Sequence, residues 1–321
     1  MRFVVDRPML WLVEGVVAGL IAASLVGFVL AQRAKSEAAQ ATVQNLNARI
    51  RAWWIMIGIF SIAMLIGPVG SLALFGFISF LALREYVSLI PTVPADHRTL
   101  FWSFFVFTPL QYWILAKQWY GVASIMIPVY AFLFVPIRLV LSGDTRGFLD
   151  RAARIHWGLM VCVYCISYAP ALLILDIPGY RQQSAKLLLF LVMVVQLSDV
   201  FQYIWGKLLG KRKIAPLISP NKTWEGFVGG VLSASLLGMG LWWMTPFSPI
   251  EALGMSLVIT LLGFFGGLIM SAIKRDRGVK DFGSIIEGHG GILDRVDSIC
   301  FSAPVFFHLT RFFFLTHGKT P

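Results

Sequence analysis

Charge is what this chain has least of. Only 13% of its 321 residues are Asp, Glu, Lys or Arg, against roughly 25% in a soluble globular domain, and 58% are hydrophobic. That balance excludes an ordinary water-soluble enzyme. Cysteine is also scarce: three residues are too few for a disulfide framework. Cys162 and Cys165 form a C-x-x-C inside an apolar run, where packing is the plainer reading than redox or metal chemistry. No internal repeat is found, and no Walker-type glycine spacing. Acidic residues number 16 against 27 basic ones. The resulting net charge of +11 could suit nucleic acid, but the cations sit in short loops between apolar runs. There they set topology and meet anionic headgroups or nucleotide phosphates, so no nucleic-acid partner is expected.

What is present is apolar length. Runs near the ~20 residues needed to cross a bilayer recur at 9–31, 71–90, 100–116, 120–141, 157–175, 186–205, 225–244, 251–273 and 296–314. A shorter run at 53–66 makes a helical hairpin with the next, across the Gly67-Pro68 break. The expected fold is an all-α, polytopic transmembrane helical bundle of about nine to ten spans. Residues 1–52 read as an N-terminal transmembrane helix and polar linker, and 53–321 as the main membrane domain. With the N-terminus outside, inward loops hold nineteen Lys/Arg and outward ones six, the asymmetry of cytoplasmic against external loops. The two richest loops, 206–223 and 274–295, then share the cytoplasmic side. The protein is read as integral to a membrane, the inner or plasma membrane if bacterial, with its site facing the cytoplasm.

The chemistry concentrates in those two loops. The first contains SPNKTWEG, in which Ser219, Lys222 and Thr223 offer donors just before a helix starting near Trp224. A helix N-terminus with Lys and Ser/Thr beside it suits phosphate. Its other cations, Lys207, Lys211, Arg212 and Lys213, are equally well explained as inside-positive residues. Asp199, near the end of an apolar run, is a carboxylate at membrane depth, expensive unless paired or functional. The second stretch, SAIKRDRGVKDFGSIIEGHGGILDRVDS, starts at Ser271 and carries Lys274, Arg275, Lys280 and Arg295 beside Asp281, Asp294 and Asp297. Asp294 and Asp297 stand three apart, so on a helix they share a face and favour a cation between them. Oxygen ligands beside phosphate-seeking cations point to Mg²⁺ rather than zinc. Gly288, Gly290 and Gly291 let backbone approach a ligand, and His289 between them reads as a phosphate donor or orienting group.

This second stretch closely resembles the signature of the phosphatidate cytidylyltransferases, or CDP-diacylglycerol synthases, and SPNKTWEG resembles a second segment of that family. The resemblance runs from about Trp53 to the C-terminus. It implies an Mg²⁺-dependent nucleotidyltransferase of phospholipid biosynthesis with CTP and phosphatidate as substrates. Lys222, Lys274, Arg275, Lys280, His289 and Arg295 are the implied catalytic cations and donors; Ser219, Thr223, Ser271, Gly288, Gly290 and Gly291 would contact substrate. Asp199, Asp281, Asp294 and Asp297 would hold Mg²⁺, with a second cation and a homodimer left open. Two positions depart from the pattern: Glu287 where the family often has Pro, and Gly267 where bacterial members often have Asp. Three other readings compete. A sister nucleotidyltransferase or kinase would act on another membrane lipid, and a paralogue would bind lipid and nucleotide without turnover. A transporter or lipid scaffold would be expected to show the internal repeat that is missing.

Overall fold

The structure, a computed structural model, describes residues 7–180, 182–286, 288 and 290–316. The apolar runs become helical rods because in lipid each backbone N–H and C=O must be satisfied within its own segment. They are α1 (Arg7–Arg33), α2 (Glu37–Ile66) and α3 (Pro68–Leu89). Then come α4 (Pro94–Ala116), α5 (Tyr120–Val140), α6 (Phe148–Ile174), α7 (Ser184–Leu208), α8 (Trp224–Gly240), α9 (Pro249–Asp276) and α10 (Leu293–Leu315). Among the described residues, nine of these are long and apolar enough to cross a membrane; α8, at 17 residues, is the short one. The protein is thus an integral membrane bundle.

Two local features refine the sequence reading. The polar segment 32–51 is largely helical: Arg33 ends α1, and Ser36 caps a single helix that runs unbroken from Glu37 to Ile66, so residue 52 lies inside α2. The run at 53–66 looked short because it is only the apolar half of that helix. Gly67, at φ 97°, then ends α2, and Pro68 opens α3 in the first-turn position where its missing N–H costs nothing. The second feature is a small antiparallel hairpin, β1 (Lys213–Ala215) with β2 (Ser219–Thr223), inside the loop between α7 and α8.

Helix α6 is the most enclosed, and the core packs around it from α3, α4, α7 and α10. All three cysteines are free thiols there, Cys162 and Cys300 fully buried, as packing residues would be. Helices α7 and α8 lie close because α8 presents glycine to its neighbour. A Cβ at Gly229 would strike the Trp205 ring, and one at Gly230 would strike Gln202. Small residues at such contacts replace the hydrophobic drive that lipid does not provide. The pair forms one wall of the site.

Candidate active site

The site forms where one end of α7, α9 and α10 meets the β-hairpin. Thr223 ends β2 and caps α8, its Oγ1 accepting the Gly226 N–H at 3.1 Å. That cap fixes where Lys222, one residue earlier, enters. Glu225 in the first turn of α8 accepts the N–H groups of Lys211 and Arg212, pinning the hairpin's first strand. From α9, Arg275 donates to the Ile218 carbonyl at 3.2 Å and ties the hairpin to the second cationic loop. The two richest loops therefore meet, as their charge pattern predicts.

Between them is a cavity of about 330 Å³, lined among others by Asp199, Ser219, Lys222, Thr223, Ser271, Arg295, Asp297 and Ser298. The Ser298 hydroxyl stands between two carboxylates, 3.3 Å from Asp199 Oδ2 and 3.4 Å from Asp297 Oδ1. The Ser298 N–H also donates to Asp297 Oδ1 at 2.7 Å. Lys222 reaches in from β2, its ammonium 4.5 Å from the Phe264 ring centroid. Enclosure pushes that ammonium below its ordinary pKa, Asp199 and Asp297 pull it back up, and nearby Lys274 pushes it down again. Arg295 has a buried Nε without a hydrogen-bond partner among the described residues. Arg295 also lines the cavity and brings its guanidinium charge to the wall.

Gly267 also lines this cavity. A Cβ added there would lie 3.2 Å from Lys222 Nζ and 3.9 Å from Asp297 Oδ2. The position whose residue departs from the bacterial pattern is thus in contact with the site's charged centre.

The aspartates separate into different settings. Asp199 and Asp297 face each other across Ser298, although 98 residues separate them in sequence. Asp294 touches the same cavity, but both its oxygens are engaged: Oδ1 pairs with Lys274 at 2.7 Å, and Oδ2 accepts the Phe282 and Gly291 N–H groups at 2.8 and 2.9 Å. The expected cation between Asp294 and Asp297 meets a carboxylate already taken. Asp281 is exposed beside Gly290 and is not among the lining residues. Lys274 is buried against Asp294 and the Phe282 ring, and Arg275 is spent on the Ile218 and Val279 carbonyls. Lys280 is exposed outside the cavity wall. Ser271, by contrast, lines the cavity, its hydroxyl donating to the Gly267 carbonyl at 2.7 Å. Gly288 and Gly290 have φ near 72° and 86°, a conformation that favours glycine, and the loop they shape packs Gly288 on Arg49 and Ala48 of α2. His289 and Glu287 lie outside the described residues.

Sequence reasoning missed Ser298, which directly follows the last signature aspartate, and Glu85 of α3. Glu85 is 5% exposed and accepts the Ile292 and Leu293 N–H groups, each at 2.9 Å. The rule that singled out Asp199, a carboxylate in an apolar run, applies equally to Glu85.

The fit to a hard cation can be judged from these donors. Three carboxylates line one cavity with cationic groups and no soft ligand beside them, Asp199 and Asp297 facing each other and Asp294 paired with Lys274. Among the described residues no cluster of three or more metal-ligating side chains forms. An oxygen-only donor set of this kind is one that Mg²⁺ could use, since it takes one or two carboxylates and completes its shell from phosphates and water.

Comparison with known proteins identifies the family. The model of the cytidylyltransferase family matches residues 47–313. YnbB of Escherichia coli K12, an uncharacterised protein, is 42% identical over 84% of this chain and 88% of its own length. The phosphatidate cytidylyltransferase of Bacillus subtilis is 33% identical over 84% of this chain and 95% of its own. That of Staphylococcus aureus strain COL is 33% identical over 59% and 70% respectively. Taken with the membrane bundle and the cavity at its helix ends, these matches show that the chain belongs to the cytidylyltransferase family and is a membrane nucleotidyltransferase.

Proposed function

We propose that the protein is a phosphatidate cytidylyltransferase that joins CTP and phosphatidate into CDP-diacylglycerol and releases pyrophosphate. The observation that carries this reading is the convergence of Asp199, Asp297, Lys222 and Arg295 on one cavity. Relatives from two genera bear the same name.

In this reading a phosphate oxygen of phosphatidate attacks the α-phosphorus of CTP. One P–O bond forms, the bond to the β-phosphate breaks, and pyrophosphate carries the electron pair away. The nucleophile is already an anion, so no strong general base is needed, and positioning and charge neutralisation do most of the work. Lys222 and Arg295 hold phosphoryl oxygens as charge-assisted donors. Ser219, Thr223 and Ser271 add hydroxyls along the same wall. Asp199 and Asp297 would hold Mg²⁺, which when bound neutralises phosphoryl oxygens in an in-line displacement. Asp294 and Lys274 act as the brace of the loop rather than on substrate. A phosphate-handling cavity at the ends of membrane helices suits a lipid whose headgroup lies at the interface, and the charge asymmetry of the loops supports a cytoplasmic one.

The test is cytidylyl transfer by the purified chain in lipid nanodiscs, with α-labelled CTP, Mg²⁺ and a panel of lipid phosphates. Labelled CDP-diacylglycerol and pyrophosphate are expected with phosphatidate, and Asp297→Asn should reduce the rate by at least about a hundredfold while leaving the fold intact. Turnover with another lipid phosphate but not phosphatidate would move the assignment to a sister enzyme. No turnover with any acceptor would point to a binding paralogue.

A further inference from the structure

We infer that Glu85, far from the signature loops in sequence, is a positioning residue of this site: it caps α10 from another helix and so sets where Asp297 and Arg295 stand. The inference rests on the site reading above for its consequence, but its geometry stands by itself.

The first N–H groups of a helix have no partner within it and need an acceptor. Helix α10 begins at Leu293, and its N-cap residue is Ile292, whose side chain offers none. Glu85 supplies the acceptor, Oε1 taking the Ile292 N–H and Oε2 the Leu293 N–H, each at 2.9 Å and across more than 200 residues of sequence. A carboxylate at this end also complements the helix dipole. Asp294 Oδ2 takes the Phe282 and Gly291 N–H groups beside it. Two buried carboxylates therefore satisfy the Gly291, Ile292 and Leu293 donors at the turn that opens α10 and the Phe282 donor in the loop before it.

The loop is shaped to admit this carboxylate. A Cβ at Gly283 would sit 2.7 Å from Glu85 Oε1, and one at Gly291 would sit 2.7 Å from Glu85 Cδ. Neither glycine has the positive φ of its neighbours Gly288 and Gly290, so close approach is what these two positions require. Glu85 is itself held from behind. The next residue, Tyr86, donates to the Arg154 carbonyl of α6 at 3.2 Å, and its ring fills the space beside Gly158. The chain of contacts runs from the buried frame of α6 through α3 to the first turn of α10. Arg295 lies in that turn, Asp297 and Ser298 just beyond it. Glu85 does not line the cavity, so it acts through this turn and not on substrate.

Hydrogen–deuterium exchange of the full chain in nanodiscs, with CTP turnover and Mg²⁺ binding, tests the inference. In the wild type, the Ile292 and Leu293 amides should be protected although they stand at a helix start; their free exchange would overturn it. In Glu85→Gln, one of the two acceptors becomes a donor facing an N–H. These amides should then exchange at least about tenfold faster, while residues 299–306 stay protected as before. Turnover should fall by about tenfold or more, with KM for CTP within about twofold and the Mg²⁺ needed for half-saturation raised. A lower unfolding midpoint with unchanged turnover and Mg²⁺ binding per folded molecule would make Glu85 merely structural and overturn the proposal. Glu85→Asp gives a second route, since it keeps the charge but withdraws it. Gly291→Ala should be less damaging in that background than alone, and equal damage in both would also count against the inference. Should the wild type show no transfer to phosphatidate, that failure belongs to the proposed function. Exchange at Ile292 and Leu293, with Mg²⁺ binding, would still decide for or against Glu85.

Discussion

Lys274 and Asp294 offer a test of how the signature loop is held. Their Nζ–Oδ1 distance is 2.7 Å, with the side chains 10% and 3% exposed. Lys274→Met keeps most of the volume of the stem and removes the ammonium. Removing one partner of a buried ion pair costs about 3–5 kcal/mol, because the other charge is left without compensation. Here the Asp294 carboxylate keeps two backbone N–H donors. The loss should therefore fall at the low end, about 3 kcal/mol, or roughly a hundredfold in the folding equilibrium. Asp294→Asn alone should also destabilise, by leaving Lys274 buried against an amide. In the double variant neither charge remains, and the two single costs should overlap by about 1.5 kcal/mol or more. Tryptophan-monitored unfolding in mixed micelles, with denaturing detergent as the variable, measures all four corners of the cycle. A cost below about 1 kcal/mol for Lys274→Met, or additivity within about 0.5 kcal/mol, would refute the view that this pair braces the loop.

Three further outcomes follow from the cavity. Enclosure places the Lys222 ammonium below its ordinary value of 10.5, so if its charge holds phosphate, activity should fall on the alkaline side before pH 10.5, and Lys222→Arg should remove that limb from the pH–rate profile. Stability should move the other way: between the lowered value and 10.5 the unfolded chain binds the extra proton, so this group's contribution to stability grows as pH rises through that window. Gly267→Asp should add a third carboxylate close to Lys222 and Asp297 and lower the half-saturating Mg²⁺ concentration by about tenfold, with an unchanged Mg²⁺ titration speaking against a cation at this pair.

The bundle was readable because lipid leaves the backbone little choice: long apolar runs have to be helices, although α2 and α6 begin at Glu37 and Phe148, well before the runs at 53–66 and 157–175. Polarity was harder to read. Residues 37–51 form the less apolar half of one long helix, and composition alone does not decide between a connecting helix and a linker. The hairpin at 213–223 is too short to carry an alternating pattern. At the site, i, i+3 spacing put Asp294 and Asp297 near each other, but spacing cannot show which carboxylate is already satisfied. The partners that occupy Asp294 are Lys274 and two backbone N–H groups, and backbone groups leave no mark in a sequence. Glu85 was hidden for the same reason, since its partners are the amides of Ile292 and Leu293. Asp199 was legible because an intramembrane acid is conspicuous, whereas its pairing with Asp297 through Ser298 needed the fold.

The bond from Glu85 to Ile292 also has a history in time. Its two ends are 207 residues apart, so at about 5–20 residues per second a ribosome delivers the acceptor roughly 10–40 s before the donor. Through that interval the third helix carries an acid whose final partner does not yet exist. A chain halted before the tenth helix lacks both N–H donors, and an acid at membrane depth without them is costly. The cap thus makes the tenth helix the one that completes the third, and nascent chains stopped short of it should be the ones most rapidly cleared.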